Sequence, residues 1–334
     1  MSRVDLKKRL RERFQKLPAA LRSAPILIAV SSGMDSSVLA SVALELREIL
    51  PPLHFAHVNY HLRIPDSDHE EAFLREWARR ERIPIFVKSL RPQRRQGNLQ
   101  AWARAERLQF FAGIVKRRFK NHGQVWLAHH QRDQAETILS RILRGAGLQG
   151  IAGMQILENY RGLSLFRPWL DVPHEAIEIY VRAHSLKFHQ DKSNDSDIYL
   201  RNRIRRRVLP LLSKENPNVE EVLYILGAWS REAHEALEIL GKAWLARRRG
   251  PPKELKLAAL RREPRALAAV ILELWLHQQT GSEQSWKEVL PRLLQAWESP
   301  LPPQEIWLKN CYRLNLQAGR LLLRRAARKN FRSS

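Results

Sequence analysis

The segment Ser31-Ser32-Gly33-Met34-Asp35-Ser36 connects an apolar run to a stretch with helical periodicity. A loop in this position presents unpaired backbone N–H groups and the positive end of a helix dipole at one point, and the serine hydroxyl groups add further donors. The segment can therefore bind a pyrophosphate group. It contains no lysine, so the γ-phosphate grip of a Walker loop is not expected, and Asp35 instead offers an oxygen ligand for Mg²⁺.

The same segment also has a purely structural interpretation. Gly33 would then provide a left-handed turn, and Asp35 or Ser36 would cap the helix that follows. Residue types alone leave both phosphate binding and simple turn formation open.

A second polar segment, residues 128–137, lies where another apolar run is followed by a helical stretch. Asp133 and Glu136 are three residues apart, so both carboxylates share one face of a helix and could contact Mg²⁺ or a substrate ammonium group. The alternative is an almost complete capping box at the start of the helix, preceded by His129 and His130 as simply packed residues.

Both segments belong to an alternation of short apolar runs and longer helical stretches, which is typical of a parallel sheet built from βαβ units. The predicted strands cover residues 26–30, 53–58, 83–87 and 125–128. The predicted helices cover residues 37–50, 67–80 and 99–118, and a further helix begins at Asp133. The expected fold class is therefore α/β with a doubly wound parallel sheet. Ligands of such sheets bind beyond the carboxyl ends of the strands, so the loops after Val30, Val58 and Ala128 are the candidate sites.

The pattern changes after about residue 211, where strand signals fade and residues 219–247 have the apolar spacing of a helix. Residues 249–252 break the chain as a linker. Helices are predicted beyond it at residues 255–276 and 286–297, and strands within residues 305–323. We therefore predict a catalytic domain at residues 1–210, a helical linker or substrate-binding region at 211–250, and a small, basic α+β domain at 251–334.

The charge balance indicates a polyanionic partner. Lys and Arg number 58 against 34 Asp and Glu, which gives a formal net charge of +24. Each phosphate that such residues neutralise releases condensed counterions, so nucleic acid is favoured over the alternatives of a merely basic surface or anionic lipid. Only one cysteine is present, Cys311, which excludes an internal disulfide and any paired-cysteine metal or sulfur-transfer centre.

The first 16 residues have the pattern of a charged amphipathic helix and lack the apolar centre of a secretion signal. We therefore expect a cytoplasmic protein without membrane association, and no protein partner is evident.

Several segments resemble known families of nucleotide-dependent enzymes. Residues 31–36 resemble the SGGxDS signature of the PP-loop ATP pyrophosphatases, which split ATP into AMP and pyrophosphate. Residues 128–137 resemble the AHHxDDQxET segment of one PP-loop group, the tRNA(Ile)-lysidine synthetases. Further segments resemble this group in the same order, namely residues 57–63 (HVNHxLR), 97–107 (GNxEAxARxxR), 144–154 (RGSGLxGLAGM) and 191–205 (DESNxDxxYxRNxxR). The departures from the family pattern are Ser32 for Gly, Gln100 for Glu, Arg132 for Asp and Lys192 for Glu.

The resemblance implies the adenine nucleotide alpha hydrolase-like fold and a two-step reaction on tRNA(Ile) with a CAU anticodon. ATP adenylates the C2 oxygen of the wobble cytidine, a poor leaving group, and pyrophosphate is released. Free L-lysine then displaces AMP at C2 and leaves lysidine. The partners implied are tRNA, bound mainly by the basic C-terminal domain, and lysine, with ATP and Mg²⁺ as cofactors.

The resemblance also implies roles for particular residues. Asp35 is expected to bind Mg²⁺, and Arg201 or Arg205 to stabilise charge on the transferring phosphoryl group. Asp133 is expected to help place metal or lysine. The expected ATP-binding residues are Ser31, Ser32, Gly33, Met34, Asp35, Ser36, His57, Asn59 and Arg104. The expected substrate-binding residues are His129, Glu136 and Asn202.

Two other functions remain open at this point. A tRNA thiolase of the same superfamily would share the loop, but it commonly needs paired cysteines. A relative that binds tRNA without catalysis is suggested by the four departures, because each removes a glycine or a carboxylate. Formation of AMP and pyrophosphate from ATP in the presence of tRNA would distinguish an enzyme from a protein that only binds tRNA.

Overall fold

The computed structural model describes residues 4–61, 65–90, 99–189, 199–247, 254–280, 304–308, 312–317 and 319–325. The chain forms two compact units, Met1–Ala228 and Trp229–Ser334. The three-part division proposed above remains a prediction beside this two-unit description.

A six-stranded sheet forms the centre of the first unit, with the strand order β3-β2-β1-β4-β6-β5. All neighbouring strands are parallel except β5, which runs antiparallel to β6. The strands are β1 Ile26–Ala29, β2 Leu53–Asn59, β3 Ile85–Ser89, β4 Gln124–Trp126, β5 Leu157–Tyr160 and β6 Leu163–Phe166. The predicted parallel α/β sheet is confirmed, whereas the hairpin formed by β5 and β6 was not predicted.

Strand β1 is central because its apolar run can be buried on both faces, as a strand of a parallel sheet requires. Ile26 and Ile28 belong to one hydrophobic cluster, with side chains from four helices, namely Leu6–Gln15, Met34–Glu45, Asp66–Glu81 and His174–His184. Leu27 belongs to a second cluster on the opposite face, with side chains from helix α5. Helices therefore cover both faces of the sheet, which is the doubly wound arrangement. The helices of this unit are α1 Leu6–Gln15, α2 Ala19–Arg22, α3 Met34–Glu45, α4 Asp66–Glu81, α5 Leu99–Arg118, α6 Gln131–Ile142, α7 Leu148–Ile151, α8 His174–His184, α9 Leu200–Arg203 and α10 Leu209–Glu215.

Two further helical elements follow α9 in the sequence. A π-helical turn, Ile204–Val208, joins α9 to α10. Helix α11, Val219–Ala246, begins in the first unit and ends in the second.

The helices next to the candidate site begin earlier than predicted. Helix α3 begins at Met34 because Gly33 adopts the extended conformation of an N-cap residue. Helix α6 begins at Gln131 because the backbone N–H of His130 donates to the Asp133 carboxylate at 3.1 Å. The predicted capping box, with Asp133 as the cap and Glu136 three residues later, is therefore wrong, because His130 is the cap and Asp133 is the third helical residue.

The second unit contains a four-stranded antiparallel sheet with the order β7-β10-β9-β8. Its elements are β7 Glu254–Lys256, α12 Leu257–Leu260, α13 Arg265–Thr280, β8 Gln304–Leu308, β9 Tyr312–Gln317 and β10 Arg320–Arg325. The strands predicted within residues 305–323 are confirmed. The single helix predicted at residues 255–276 is wrong, because Leu255 pairs with Leu321 in the sheet and Pro264 precedes a separate helix. The helix predicted at residues 286–297 lies outside the described residues.

The part of the chain that the structure describes was searched for membrane-spanning segments. No helix there has both the length and the apolar character that crossing a bilayer requires.

A close contact at Gly153 holds the start of helix α6 to the segment after α7. The Gln134 side chain makes two hydrogen bonds to the Met154 backbone, at 2.8 and 3.1 Å. Gly153 has a positive φ of 67°, and a Cβ there would lie 2.3 Å from Gln134 Nε2. Gln134 is buried, so it cannot move aside without breaking these hydrogen bonds.

We expect Gly153→Ala to lower the free energy of unfolding by roughly 2–4 kcal/mol, from left-handed strain together with overpacking. Gly145→Ala is the matched control, because Gly145 has a φ of 68° but nothing within 4 Å of the added Cβ. The control should lose only about 1 kcal/mol. Urea denaturation of both variants measures the difference, and equal losses would contradict the packing role of Gly153.

Candidate functional site

The site lies at the carboxyl ends of strands β1 and β4. These strands are hydrogen-bonded neighbours, with Ile26 opposite Gln124 and Ile28 opposite Trp126. The chain builds outward from β1 through β2 to β3 and then returns to form β4 on the other side of β1. Such a reversal of strand order opens a crevice between the two following loops. It brings residues 31–36 next to residues 127–133.

The loop after β1 is organised around the Ser36 hydroxyl group. Ser36 Oγ accepts a hydrogen bond from the Ser31 backbone N–H at 3.0 Å, lies 3.2 Å from Ser31 Oγ, and donates to the Gly33 carbonyl at 3.1 Å. Gly33 caps helix α3 without a side chain, so the first N–H groups of α3 have no side-chain oxygen from the cap. The loop therefore keeps the backbone donors that an anion would bind.

Ser32, and not Gly33, is the left-handed residue of this loop. Its φ is +54°, whereas the φ of Gly33 is −69°. A non-glycine residue in this conformation costs about 1–2 kcal/mol. Ser32 is buried, and its carbonyl accepts a hydrogen bond from the His189 backbone N–H at 2.9 Å. The surrounding structure thus holds the backbone in a conformation that the family glycine would adopt more easily.

Asp35 projects from the first turn of α3 between two histidines. His130 Nε2 lies 3.6 Å from Asp35 Oδ2, and His174 Nε2 lies 3.6 Å from Asp35 Oδ1. Burial opposes ionisation of Asp35, but its contacts with His130 and His174 outweigh that effect and lower its pKa. Burial also opposes protonation of His130, but Asp133 and Asp35 together raise its pKa. Asp35 is therefore an anion at neutral pH, in contact with potential cations.

Asp133 and Glu136 both bind arginine side chains. Arg201 donates from Nη2 to Asp133 at 2.6 Å and from Nε to Glu136 at 2.6 Å. Arg205 contacts the same two carboxylates, through Nε to Glu136 and through Nη2 to Asp133 at 3.3 Å. Glu136 is fully buried. The four predicted residues thus form one ion-pair network.

Helix geometry explains why these four charges meet. The two carboxylates lie three residues apart on α6, and the two guanidinium groups lie four residues apart along α9 and the π-helical turn, so each pair shares a face. Ile204, between the arginines, packs against Ala135 and Ile138 of α6. Burial opposes ionisation of Asp133, but His130 and Arg201 more than compensate and lower its pKa to about 2.

Arg167 orients His129. The Arg167 side chain is fully buried, and its Nε donates to His129 Nδ1 at 3.2 Å. Because a guanidinium group can only donate, His129 must carry its proton on Nε2. Burial lowers the pKa of His129 far below its usual value, so the ring is neutral. Arg167 is itself balanced by Glu158, whose carboxylate lies 2.8 Å from Nη2.

The remaining predicted residues differ in their surroundings. His57 is buried in β2, where its Nδ1 donates to the carbonyl of Val30, the residue after β1, at 3.0 Å. The buried Asn59 side chain donates to the Glu71 carboxylate at 3.0 Å and accepts from the His61 backbone N–H. Asn202 is buried on α9, and Arg104 is exposed on α5. Their assignment to ligand binding stays a prediction.

Three residues of the site were not predicted as site residues. His130 lies in the predicted polar segment but was assigned no role there, and two others lie outside the predicted segments. His174 follows Pro173 at the start of α8, and Arg167 follows strand β6. An isolated histidine after a proline and a basic residue after a short apolar run are weak signals. Only the folded chain brings them to Asp35 and His129. Arg132, which replaces a family aspartate, forms an ion pair with Glu220 at 2.7 Å.

We expect Glu136→Ala to lower the free energy of unfolding by about 3 kcal/mol, because two guanidinium groups lose their buried partner. This value is at the low end for buried pairs since both arginines are about one-third exposed. Glu76→Ala is the control, because Glu76 pairs with Arg79 at 2.7 Å on an exposed helix face and should produce no measurable change. Chemical denaturation measures both variants, and a loss for Glu136→Ala as small as the control would contradict a structural role for the network.

The comparisons with known proteins agree with this geometry. The model of the PP-loop domain family matches residues 6–212. A protein named tRNA(Ile)-lysidine synthase from Streptococcus equi subsp. zooepidemicus is 38% identical over 220 residues, which cover 65% of this chain and 48% of that protein. A protein named bifunctional protein TilS/HprT from Listeria monocytogenes is 30% identical over 317 residues, which cover 92% of this chain and 48% of that protein. The chain therefore spans about half the length of the curated relatives it matches.

A solved structure shows the same fold at low sequence identity. The U34-tRNA thiolase NcsA from Methanococcus maripaludis is 14% identical and superposes with a TM-score of 0.56, covering 66% of this chain and 76% of that chain. Identity this low shows the fold alone. The family model covers more than half of the chain, and it includes the loop after β1 and the carboxylates of α6. The chain belongs to the PP-loop domain family.

Proposed function

We propose that this protein uses ATP to attach lysine to C2 of the wobble cytidine in a CAU-anticodon tRNA(Ile). Relatives named tRNA(Ile)-lysidine synthase support the proposal, and so does the Asp133–Glu136–Arg201–Arg205 network beside the phosphate-binding loop. That network is the single observation that carries it, because the reaction needs both an ammonium site and cations for phosphoryl transfer in one crevice. The thiolase alternative lacks comparable support.

The first step is adenylation of the cytidine C2 oxygen. The backbone N–H groups of residues 34–36 bind the pyrophosphate that leaves, because they belong to the first turn of helix α3, whose N–H groups have no partner within the helix. His57 and Asn59, at the end of β2, and Arg104, on α5, form the rest of the proposed ATP site.

A divalent cation belongs to this step. Asp35 fits Mg²⁺, since its Oδ1 is buried and has no hydrogen-bond partner among the described residues. When bound, Mg²⁺ supplies positive charge to the phosphate oxygens.

The second step is attack of the lysine side-chain amine on C2, after its ammonium form has lost a proton, with breakage of the C2–O bond and release of AMP. Asp133 is expected to help place metal or lysine, and Glu136 is an expected substrate-binding residue; these two carboxylates attract the lysine ammonium group. An ammonium group that binds there competes with Arg201 and Arg205 for the same oxygens. A guanidinium group that the ammonium group displaces from these oxygens can contact the phosphate. Lysine binding and stabilisation of the developing phosphate charge are therefore coupled.

Neutral His129 can donate from Nε2 to a substrate oxygen without adding charge. Arg167 keeps this proton in place by occupying Nδ1. Asn202, buried on α9 next to Arg201, completes the proposed substrate contacts.

We expect the protein to incorporate labelled lysine into a CAU-anticodon tRNA(Ile) in the presence of ATP and Mg²⁺. Asp35→Asn should lower tRNA-dependent ATP–pyrophosphate exchange by at least about a hundredfold, because the carboxylate that attracts the cation is lost. Asp66→Asn is the matched control, since Asp66 is an exposed acid in the first turn of another helix, α4. Circular dichroism checks that both variants remain folded.

The outcome of this assay separates the alternatives. Retained exchange in Asp35→Asn would contradict the role of Asp35, and exchange without lysine incorporation would contradict lysidine synthesis. Binding of tRNA without AMP or pyrophosphate release would identify a non-catalytic tRNA-binding protein.

We expect tRNA affinity to fall steeply with salt, because the net charge of +24 predicts binding through phosphates. Six phosphate contacts would give about a thousandfold loss between about 50 and about 200 mM salt. A tRNA with a different anticodon is the control. It should show the same slope at lower affinity, since phosphate contacts position the tRNA and base contacts specify it. A flat salt response in filter-binding assays would rule out the basic surface as the main tRNA platform.

A further inference from the structure

Three potential metal ligands converge at the start of helices α3, α6 and α8. One ligand atom each from Asp35, His130 and His174 lies within 4.8 Å of the other two. Each histidine turns Nε2 toward the Asp35 carboxylate. The site therefore contains two imidazoles and one carboxylate around a common point.

The distances between these atoms suit a metal ion better than direct hydrogen bonds. Both Nε2 to Oδ distances are 3.6 Å, which is too long for a hydrogen bond. Zinc binds nitrogen and oxygen ligands at about 2.0–2.2 Å in tetrahedral geometry, so two of its ligands are about 3.3–3.5 Å apart. A shift of a few tenths of an ångström would bring each histidine nitrogen to that spacing from the Asp35 carboxylate, and the three ligand atoms already lie within 4.8 Å of one another. Asp35 Oδ1, in addition, is buried and has no hydrogen-bond partner among the described residues.

We propose that Asp35, His130 and His174 bind one transition-metal ion of the borderline class, represented by Zn²⁺, when nucleotide is absent. Imidazole ligands favour zinc and its neighbours, whereas Mg²⁺ favours oxygen ligands and retains its waters. Three protein ligands leave a fourth position open to water or a phosphate oxygen.

The surroundings of His174 support this assignment. Its Nδ1 lies 3.2 Å from the Glu178 carboxylate, the carboxylate–histidine pairing that orients metal ligands and makes them more basic. Arg132 Nη1 lies 3.4 Å from the same Nδ1 and adds an unfavourable charge. Glu220 offsets this charge through its ion pair with Arg132 at 2.7 Å. Metal binding through Nε2 requires that Nδ1 carry the proton and donate to Glu178, and not accept from Arg132.

His130 is the most enclosed of the three ligands, with only 2% of its surface exposed. Its Nε2 also lies 3.3 Å from Asp133 Oδ2, so Asp133 and the metal compete for this nitrogen. Metal binding would move His130 away from Asp133 without removing the Asp133 contacts to Arg201 and the His130 backbone.

The inference shares Asp35 with the proposed function, but it does not rest on lysidine synthesis. Its consequence for that function is that Zn²⁺ competes with Mg²⁺ for Asp35. Metal binding is measured on the nucleotide-free protein, so a failure here is distinguishable from a failure of the ligation assay.

The test is titration of the metal-free full chain with Co²⁺, which replaces Zn²⁺ and has visible ligand-field absorption bands. We expect one Co²⁺ per chain, displaced by Zn²⁺ and not by a large excess of Mg²⁺. His174→Ala should weaken Co²⁺ binding by at least about tenfold. His184→Ala, on the same helix but stacked on Tyr180, is the matched control and should bind Co²⁺ like the unaltered protein.

Three outcomes would overturn the proposal. The first is no Co²⁺ spectrum in the unaltered protein. The second is binding that His174→Ala leaves unchanged, which identifies an adventitious ion only. The third is displacement of Co²⁺ by Mg²⁺ at similar concentrations. His174→Gln repeats the test with a bulkier replacement should the alanine variant fold poorly, as judged by circular dichroism.

Discussion

The order of the strands at β1 and β4 is the constraint on which the site depends. Parallel pairing makes both strands end at the same edge of the sheet. The reversal of strand order leaves a crevice between the two neighbouring loops that follow these strands. Asp35 is thereby placed next to His130, although the two residues are far apart in sequence. No local property of either loop would produce this contact. It exists because β1 can be buried on both faces and accepts β2 on one side and β4 on the other.

The charged side chains at this edge of the sheet form pairs of opposite charge, and residue types alone do not reveal these pairs. Asp133 and Glu136 are largely buried, and they would be costly there without partners. Arg201 and Arg205 provide those partners and are themselves held by the same contacts. The network is stable without substrate, yet each of its ions is of a type that the proposed reaction needs. Binding of a substrate ion therefore exchanges one partner for another and does not create a new buried charge.

Several elements could be predicted from the sequence because their patterns are local. Strands β1, β2 and β4 stand out as apolar runs, and helix α5 was predicted with its observed bounds, Leu99–Arg118. The β5–β6 hairpin was missed although Arg161 and Gly162, both with positive φ, form its two-residue turn. Its short strands become recognisable only when β6 pairs with β4. The helix predicted at residues 255–276 failed for a similar reason, since Leu255 joins β10 through a non-local contact.

The candidate site likewise contains features that could be predicted from the sequence and features that depend on non-local contacts. Residue type and motif order were enough to single out Asp35, Asp133 and Glu136, but not to show that arginines occupy the two carboxylates of α6. His174 could not be foreseen, because its position depends on how α8 packs against the sheet. The left-handed Ser32 is a third case. Its conformation follows from the hydrogen bond that its carbonyl accepts from His189, a residue distant in sequence.

We propose that the crevice between β1 and β4 binds the phosphates of ATP at the start of helix α3. A crystal structure with a non-hydrolysable α,β-methylene analogue of ATP tests it most directly. We expect the β- and γ-phosphates to contact the backbone N–H groups of residues 34–36, with Asp35 facing any cation that accompanies them. Phosphates bound elsewhere, with this loop unchanged and in contact only with protein, would contradict it.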